Sequence, residues 1–138
     1  MKNYEILEHT ADIGIRVKAR DLGGLFKSAG LAIFEISAER LPTKDKEQHK
    51  IIINQKAESV EELFINWLNE ILSLSAVEGL IFTDFKIAQI DEHYVEAIAL
   101  GSDIKNYKLN TEIKAATYHT LKVEKTAAGW QAEVIFDV

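Results

Sequence analysis

At 138 residues and without a single cysteine, the chain cannot form a disulfide, a thiolate nucleophile or a cysteine-based zinc site. That length fits one domain, residues 1–138, able to bury a core without covalent staples. The balance of 16 basic against 22 acidic residues gives a net charge of -6, with no Lys/Arg run longer than two, which argues against unaided binding to a phosphate backbone. No apolar run reaches the roughly 18 residues of a membrane span, and Met1 to Glu5 carries no apolar signal-peptide core. The expected compartment is therefore the reduced cytoplasm.

Tyr4 to Glu8 alternates weakly and predicts a short strand. Ile13 to Ala19 sets Ile13, Ile15, Val17 and Ala19 against Gly14, Arg16 and Lys18, the pattern of a strand with one wet face. The period then changes. Leu22, Leu25, Phe26, Ala29, Ile33 and Ile36 share one helical face, with Asp21 as the expected N-cap. Gly23, Gly24 and Gly30 weaken this helix by up to about 1 kcal/mol each relative to Ala, but let it lie close to a sheet. Glu39 to Lys46, around the only proline, Pro42, reads as an exposed loop.

His49 to Lys56, with Ile51-Ile52-Ile53, predicts another strand. Ser59-Val60-Glu61-Glu62 has the form of a capping box. Behind it Val60, Leu63, Phe64, Trp67, Leu68, Ile71 and Leu72 repeat at helical spacing, and Gly79 is the expected stop. From Leu80 onward the pattern is extended, with strands expected at about 80–90, 93–101, 109–125 and 129–137. Short connections imply antiparallel pairing. The expected fold is α+β: a two-layer sandwich of a largely antiparallel or mixed sheet with two amphipathic helices on one face.

Two polar motifs sit at the ends of the chain: Glu8-His9-Thr10-Ala11-Asp12-Ile13-Gly14, and Ile135-Phe136-Asp137-Val138. A carboxylate at the start of a strand, such as Asp12, can tighten a turn by accepting backbone N–H groups. It can also serve as an oxygen ligand for Ca2+, Mg2+ or Mn2+. One Asp makes no metal site. Asp137 is the candidate second carboxylate, and Val138 can add a backbone carbonyl or a terminal carboxylate, provided the first and last strands are neighbours.

His9 and His119 read as metal ligands, proton shuttles or structural histidines, the last being the commoner case; His49 and His93 fall in polar turns. No H-E-x-x-H or H-x-H spacing, G-x-S-x-G elbow or Walker loop occurs. Glu8 with Asp12 is a conceivable acid–base pair, at a spacing common by chance. Trp67 and Trp130 lie in apolar periods and read as core aromatics.

Tyr4 through Gly14, centred on His9-Thr10-Ala11-Asp12-Ile13-Gly14, resembles the opening of the archease family. Three further blocks match in order: Phe26 to Glu35; Glu61 to Leu72 with Trp67-Leu68-Asn69-Glu70; and Glu112 to His119 together with Trp130 to Val138. Around Tyr107-Lys108 the chain departs from the more basic or His-containing segment expected there. The resemblance implies a non-catalytic accessory protein of tRNA splicing and RNA repair. It would assist an RtcB-type RNA ligase by promoting guanylylation and multiple turnover and by widening nucleotide choice, and would meet RNA only through that ligase. It also implies one divalent cation, Ca2+ in structures and Mg2+ or Mn2+ as alternatives in function, on Asp12, Asp137 and the main chain of Val138. His9 and His119 would then face the partner or stand behind the ligands.

The residues by themselves leave two other readings. One is a small metal-dependent hydrolase built on Asp12 and Asp137. The other is a generic chaperone or protein-binding module without a metal.

Overall fold

The computed structural model describes residues 3–8 and 12–138. In chain order the elements are β1 (Tyr4–Glu8), β2 (Ile13–Ala19), α1 (Leu22–Ser37), β3 (Ala38–Arg40), β4 (His49–Lys56), α2 (Val60–Glu78), β5 (Leu80–Ile90), β6 (Tyr94–Asp103), a 3-10 turn (Ile104–Asn106), β7 (Tyr107–Leu109), β8 (Ala115–Thr126) and β9 (Gly129–Asp137). The α+β class and the antiparallel pairing are as the sequence predicts. The strands divide into a four-stranded sheet β1-β2-β9-β8, a three-stranded sheet β4-β6-β5 and a small pair β3-β7. The division follows from pairing: strands near the two ends join each other, and strands from the middle join among themselves. Both helices pack against strands of both larger sheets.

Helix boundaries follow local chemistry. Asp21 Oδ1 accepts the N–H of Gly24 at 2.7 Å, and Ser59 Oγ accepts that of Glu62 at 3.2 Å, so each helix starts on a side-chain cap. Gly79 ends α2 with φ +65°, a left-handed conformation that costs glycine little. The close approach expected of the small residues in α1 occurs at Gly30, where an added Cβ would stand 2.9 Å from Phe85 Cε2.

Two features depart from expectation. The extended run expected from 109 to 125 is interrupted: β7 ends at Leu109, residues 110–114 form no strand, and β8 starts at Ala115. Asn110 N–H donates to Ser37 O (2.8 Å), one step past the Ala38–Leu109 pair, and Lys114 N–H to Asp137 O (2.8 Å), beside the Ala115–Asp137 pair, so the two ends of the segment are tied to different ladders. The expected loop from Glu39 begins instead as β3, which pairs with β7.

The core centres on Trp67, which is fully buried. Its ring meets Phe85 at 5.4 Å in an edge-on arrangement and Phe26 at 6.0 Å, and its Nε1–H donates to the Phe26 carbonyl oxygen at 2.9 Å. That bond joins α2 to α1 and satisfies the buried indole donor. Trp130, read from sequence as a core aromatic, is only half-buried. It lies near the start of β9 with the Lys125 ammonium 5.7 Å from its ring centroid.

On the inner face of β1 the Tyr4 phenol donates to Glu35 of α1, and burial together with the nearby Glu35 charge pushes its pKa up to about 12.

Two predictions follow from this packing. Trp67→Ala should destabilise the protein by about 3–5 kcal/mol in urea unfolding, by cavity formation and loss of the indole bond. An unchanged midpoint would show that α2 does not hold the core. The second concerns alkaline pH. Because the folded-state pKa of Tyr4 lies above its unfolded value near 10, the stabilisation it gives is complete below pH 10 and lost as pH rises towards 12. Glu35→Gln should move the highest tyrosinate transition, read by ultraviolet absorbance, to lower pH; an unmoved transition would show that the two groups do not interact.

Candidate metal centre at the strand rim

The adjacency required by the two-carboxylate reading is present. β2 and β9 are antiparallel neighbours, with Ile13 opposite Phe136 and Ile15 opposite Val134. Continued by one residue, this register sets Asp12 opposite Asp137. Opposed residues of an antiparallel pair project to the same face. Asp12 is half-buried, and Asp137 and Val138 are exposed.

The main chain of Asp137 is held from the β8 side. Asp137 is paired with Ala115 of β8, and its carbonyl oxygen accepts the Lys114 N–H at 2.8 Å. Immediately before it, Phe136 and Ile135 are buried and anchor the strand end. Among the described residues neither Asp12 nor Asp137 takes part in an ion pair.

The donors are all oxygens: two carboxylates, with a main-chain carbonyl following Asp137. This set suits a hard cation and not a soft one. Among the described residues no group of three or more His, Asp or Glu side chains converges to hold a metal. Ca2+ takes about 6–8 oxygens. An ion on this rim would therefore keep part of its coordination for water or a second molecule.

The histidines fall in different places. His9 lies outside the described residues, as does the Glu8 side chain, so the Glu8–Asp12 acid–base pair stays an expectation. His119 is exposed and lies in the irregular part of β8 between Thr117 and Lys122, beside Thr120 with φ +50°. The ladder sets Ala115, not His119, opposite Asp137. His49 Nε2 is 3.9 Å from Glu47 Oε1, and His93 closes a turn through its N–H to Asp91 Oδ1 at 2.7 Å.

One residue that supports the rim is not singled out by sequence reasoning. Asn69 of α2 accepts the Ala116 N–H on Oδ1 at 2.7 Å and donates from Nδ2 to the Ala116 carbonyl at 3.2 Å. This double bond from helix to strand fixes β8 one residue from the partner of Asp137. The available signal was a poor helix former in the middle of a strongly periodic helix.

The sequence profile of the Archease protein family (MTH1598/TM1083) matches residues 4–138. The chain belongs to the archease family. It is 35% identical over 143 residues to Protein archease of Methanosarcina barkeri, covering 99% of this chain and 97% of that one. With Protein archease of Pyrococcus abyssi it shares 35% identity over 144 residues, covering both chains fully (100% each). Among solved structures, the solution structure of Methanobacterium thermoautotrophicum protein 1598 superposes with a TM-score of 0.78 at 27% identity, over 100% of both chains. The crystal structure of an archease, possible chaperone, from Thermotoga maritima superposes with a TM-score of 0.69 at 26% identity, over 96% of this chain and 94% of that one.

Asn69→Ala should cost about 1–3 kcal/mol by leaving two backbone groups of β8 without partners. Hydrogen exchange should accelerate at Ala116 more than at Val123. Equal protection at both sites in the variant would show that the clamp does not hold the rim.

Proposed function

We propose that this chain is a non-catalytic accessory protein that acts on a partner, in keeping with the chaperone-like description of its Thermotoga relative. More specifically, we take the partner to be an RtcB-type tRNA-splicing RNA ligase. The protein promotes its guanylylation and multiple turnover and widens its nucleotide choice, in the cytoplasm. The observation that supports the reading is the β2–β9 register, which ends at the Ile13–Phe136 pair and so leaves Asp12 and Asp137 as the next residues of the two strands. The carboxylates of Asp12 and Asp137, with the main chain of Val138, would hold one divalent cation, Ca2+ or in its place Mg2+ or Mn2+. Bound there, the ion would supply positive charge to phosphate oxygens. The chain contributes the two carboxylates and the fixed main chain that present it, and His9 and His119 are assigned to the partner-facing surroundings.

A rim that leaves coordination positions open suits a protein that presents an ion to a second molecule's site. The sequence offers no cysteine nucleophile, serine elbow or phosphate loop of its own. An accessory role therefore asks less of these residues than hydrolysis would. Acceleration of a partner reaction requires tighter binding of its transition state or faster release of a stalled state.

The test is a guanylylation time course of the ligase with GTP and a divalent ion. Asp12→Ala and Asp137→Ala should each weaken cation binding and lower stimulation at least about tenfold, a loss of roughly 1.4 kcal/mol in transition-state terms. Stability should change by no more than about 0.5 kcal/mol, as for surface substitutions generally. The double variant should be little worse than either single one, because both groups serve one ion. Folded variants that stimulate as well as the parent would sink the reading. Robust phosphoester turnover by the isolated protein, lost in Asp12→Ala, would favour the hydrolase instead.

A further inference from the structure

A second polar pocket lies away from the rim, where the loop after β3 folds over one end of the β4-β6-β5 sheet. It is an open depression of about 330 Å3 lined by Arg40, Lys46, Gln48, Thr83, Ser102 and Tyr107, with Glu47 as the only acidic lining group. The Arg40 guanidinium is held in place. Nη1 donates to Ser102 Oγ at 2.8 Å and to the Tyr107 hydroxyl at 3.3 Å, Nη2 donates to the Asp45 carbonyl at 2.9 Å, and the group lies 5.2 Å from the Tyr107 ring centroid. Among the described residues no carboxylate comes within ion-pair distance of Arg40 or Lys46.

The buried Ser102 hydroxyl gives this pocket its direction. Ser102 is only 7% exposed and Asn106 only 4%. Asn106 Nδ2 donates to Asp45 Oδ2 at 2.9 Å and to Ser102 Oγ at 3.2 Å. The Asp45 carboxylate fixes which end of the Asn106 amide is the donor, since a flipped amide would set oxygen against oxygen. The same bond holds the Asp45 carboxyl below the usual carboxylate range, so it stays ionised at neutral pH.

Both contacts to Ser102 Oγ therefore come from donors, Arg40 and Asn106, and its own hydrogen is left over. The Tyr107 hydroxyl is likewise bonded only as an acceptor, from Arg40. Among the described residues neither hydroxyl hydrogen meets an acceptor. Two hydroxyl donors, a guanidinium and an ammonium thus line one small space. Ser102 is buried, the Tyr107 hydroxyl meets Arg40 at an exposed position, and an acceptor-rich anion could accept from both hydroxyls.

We propose that this pocket binds a phosphate group, either inorganic phosphate or the end of a small phosphomonoester. Arg40 and Lys46 outnumber Glu47 among the lining groups, while the nearby Asp45 carboxylate is engaged by Asn106 Nδ2 and the Glu47 N–H; a tetrahedral oxyanion presents several acceptors to donors arriving from different sides. The pocket is at the lower end of the size range of small-molecule sites, which suits a compact ligand and not a polymer. Glu47 opposes the ligand and limits its affinity.

The test is a titration of the full chain with inorganic phosphate and, separately, glycerol phosphate, followed by backbone amide chemical shifts. Ionic strength is held constant with chloride. Saturable shifts are expected at Lys46, Gln48, Ser102 and Tyr107, and not at Asp12 or Asp137. The tighter of the two probes identifies whether the site takes the free ion or the ester. Lys46→Gln removes a charge that supports no described contact, so the fold should persist while the dissociation constant rises several-fold. Ser102→Ala should weaken binding similarly, and Glu47→Gln should tighten it. Shifts no larger than those from chloride would overturn the proposal. So would Lys46→Gln and Glu47→Gln variants that bind as the parent does.

Discussion

The pairing of β2 with β9 is the constraint on which the candidate site depends. These strands come from opposite ends of the chain, and closing so long a loop has an entropic cost that local preferences do not offset. Burial on one face does so: Ile15 and Val17 lie opposite Val134 and Ala132, all between 0% and 1% exposed. On the other face Glu5, Arg16, Glu133 and Lys122 form one row across all four strands, in alternating charge. Arg16 bonds Glu133 at 2.6 Å and Glu5 at 3.1 Å. Partly exposed pairs of this kind contribute only about 0–1 kcal/mol each. Their value lies in register: a slip of one residue would turn Arg16 towards the core and expose Ile15. The same slip would separate Asp12 from Asp137.

The helix pair makes that sheet rigid enough to present a site. Trp67 joins α2 to the α1 main chain, and the edge-on contact of Phe26 with Phe64 at 5.3 Å continues the junction. Gly30 lets Phe85 of β5 come up against α1, so the helices also contact the second sheet. Through Asn69 the rigidity reaches β8, and through the Ala115–Asp137 pairing it reaches the rim. Asp137 is thus exposed to solvent while its main chain is fixed by β8. That combination suits a ligand that must be accessible to a second molecule without being loose.

The pocket around Arg40 is built on a different principle. There the buried Ser102 and Asn106 lie behind the exposed Arg40, Lys46 and Gln48, and their side chains are bonded within the chain. The small β3-β7 pair and the buried Asn106 hold the loop after β3 in position; Asn106 O also accepts the Leu41 N–H at 2.9 Å. The rim sets Asp12 and Asp137 at the ends of two neighbouring strands, whereas the pocket gathers donors from β3, β6, β7 and the loop after β3.

The sequence by itself determined the local structure and the family. Asp21, Ser59 and Gly79 mark helix ends because capping and left-handed geometry depend on a few adjacent residues. The periods of α1, α2 and β2 show which faces are buried, because burial repeats with the geometry of the element. Asp12, Asp137 and Val138 could be named as candidates from chemistry and from family resemblance, but not brought together. Only the tertiary structure made β2 and β9 neighbours, since no local pattern specifies which distant strand a strand will join. It also broke the run from 109 to 125, because its two ends join different ladders: Asn110 N–H bonds Ser37 beside the β3-β7 pair, and Lys114 N–H bonds Asp137 of β9. The same holds for Trp130, whose apolar surroundings in sequence gave no sign that it sits near a strand end beside Lys125. Asn69, Asn106 and Ser102 acquire their roles from groups distant in sequence, and hydrogen bonds of that kind exist only once the core has placed both partners.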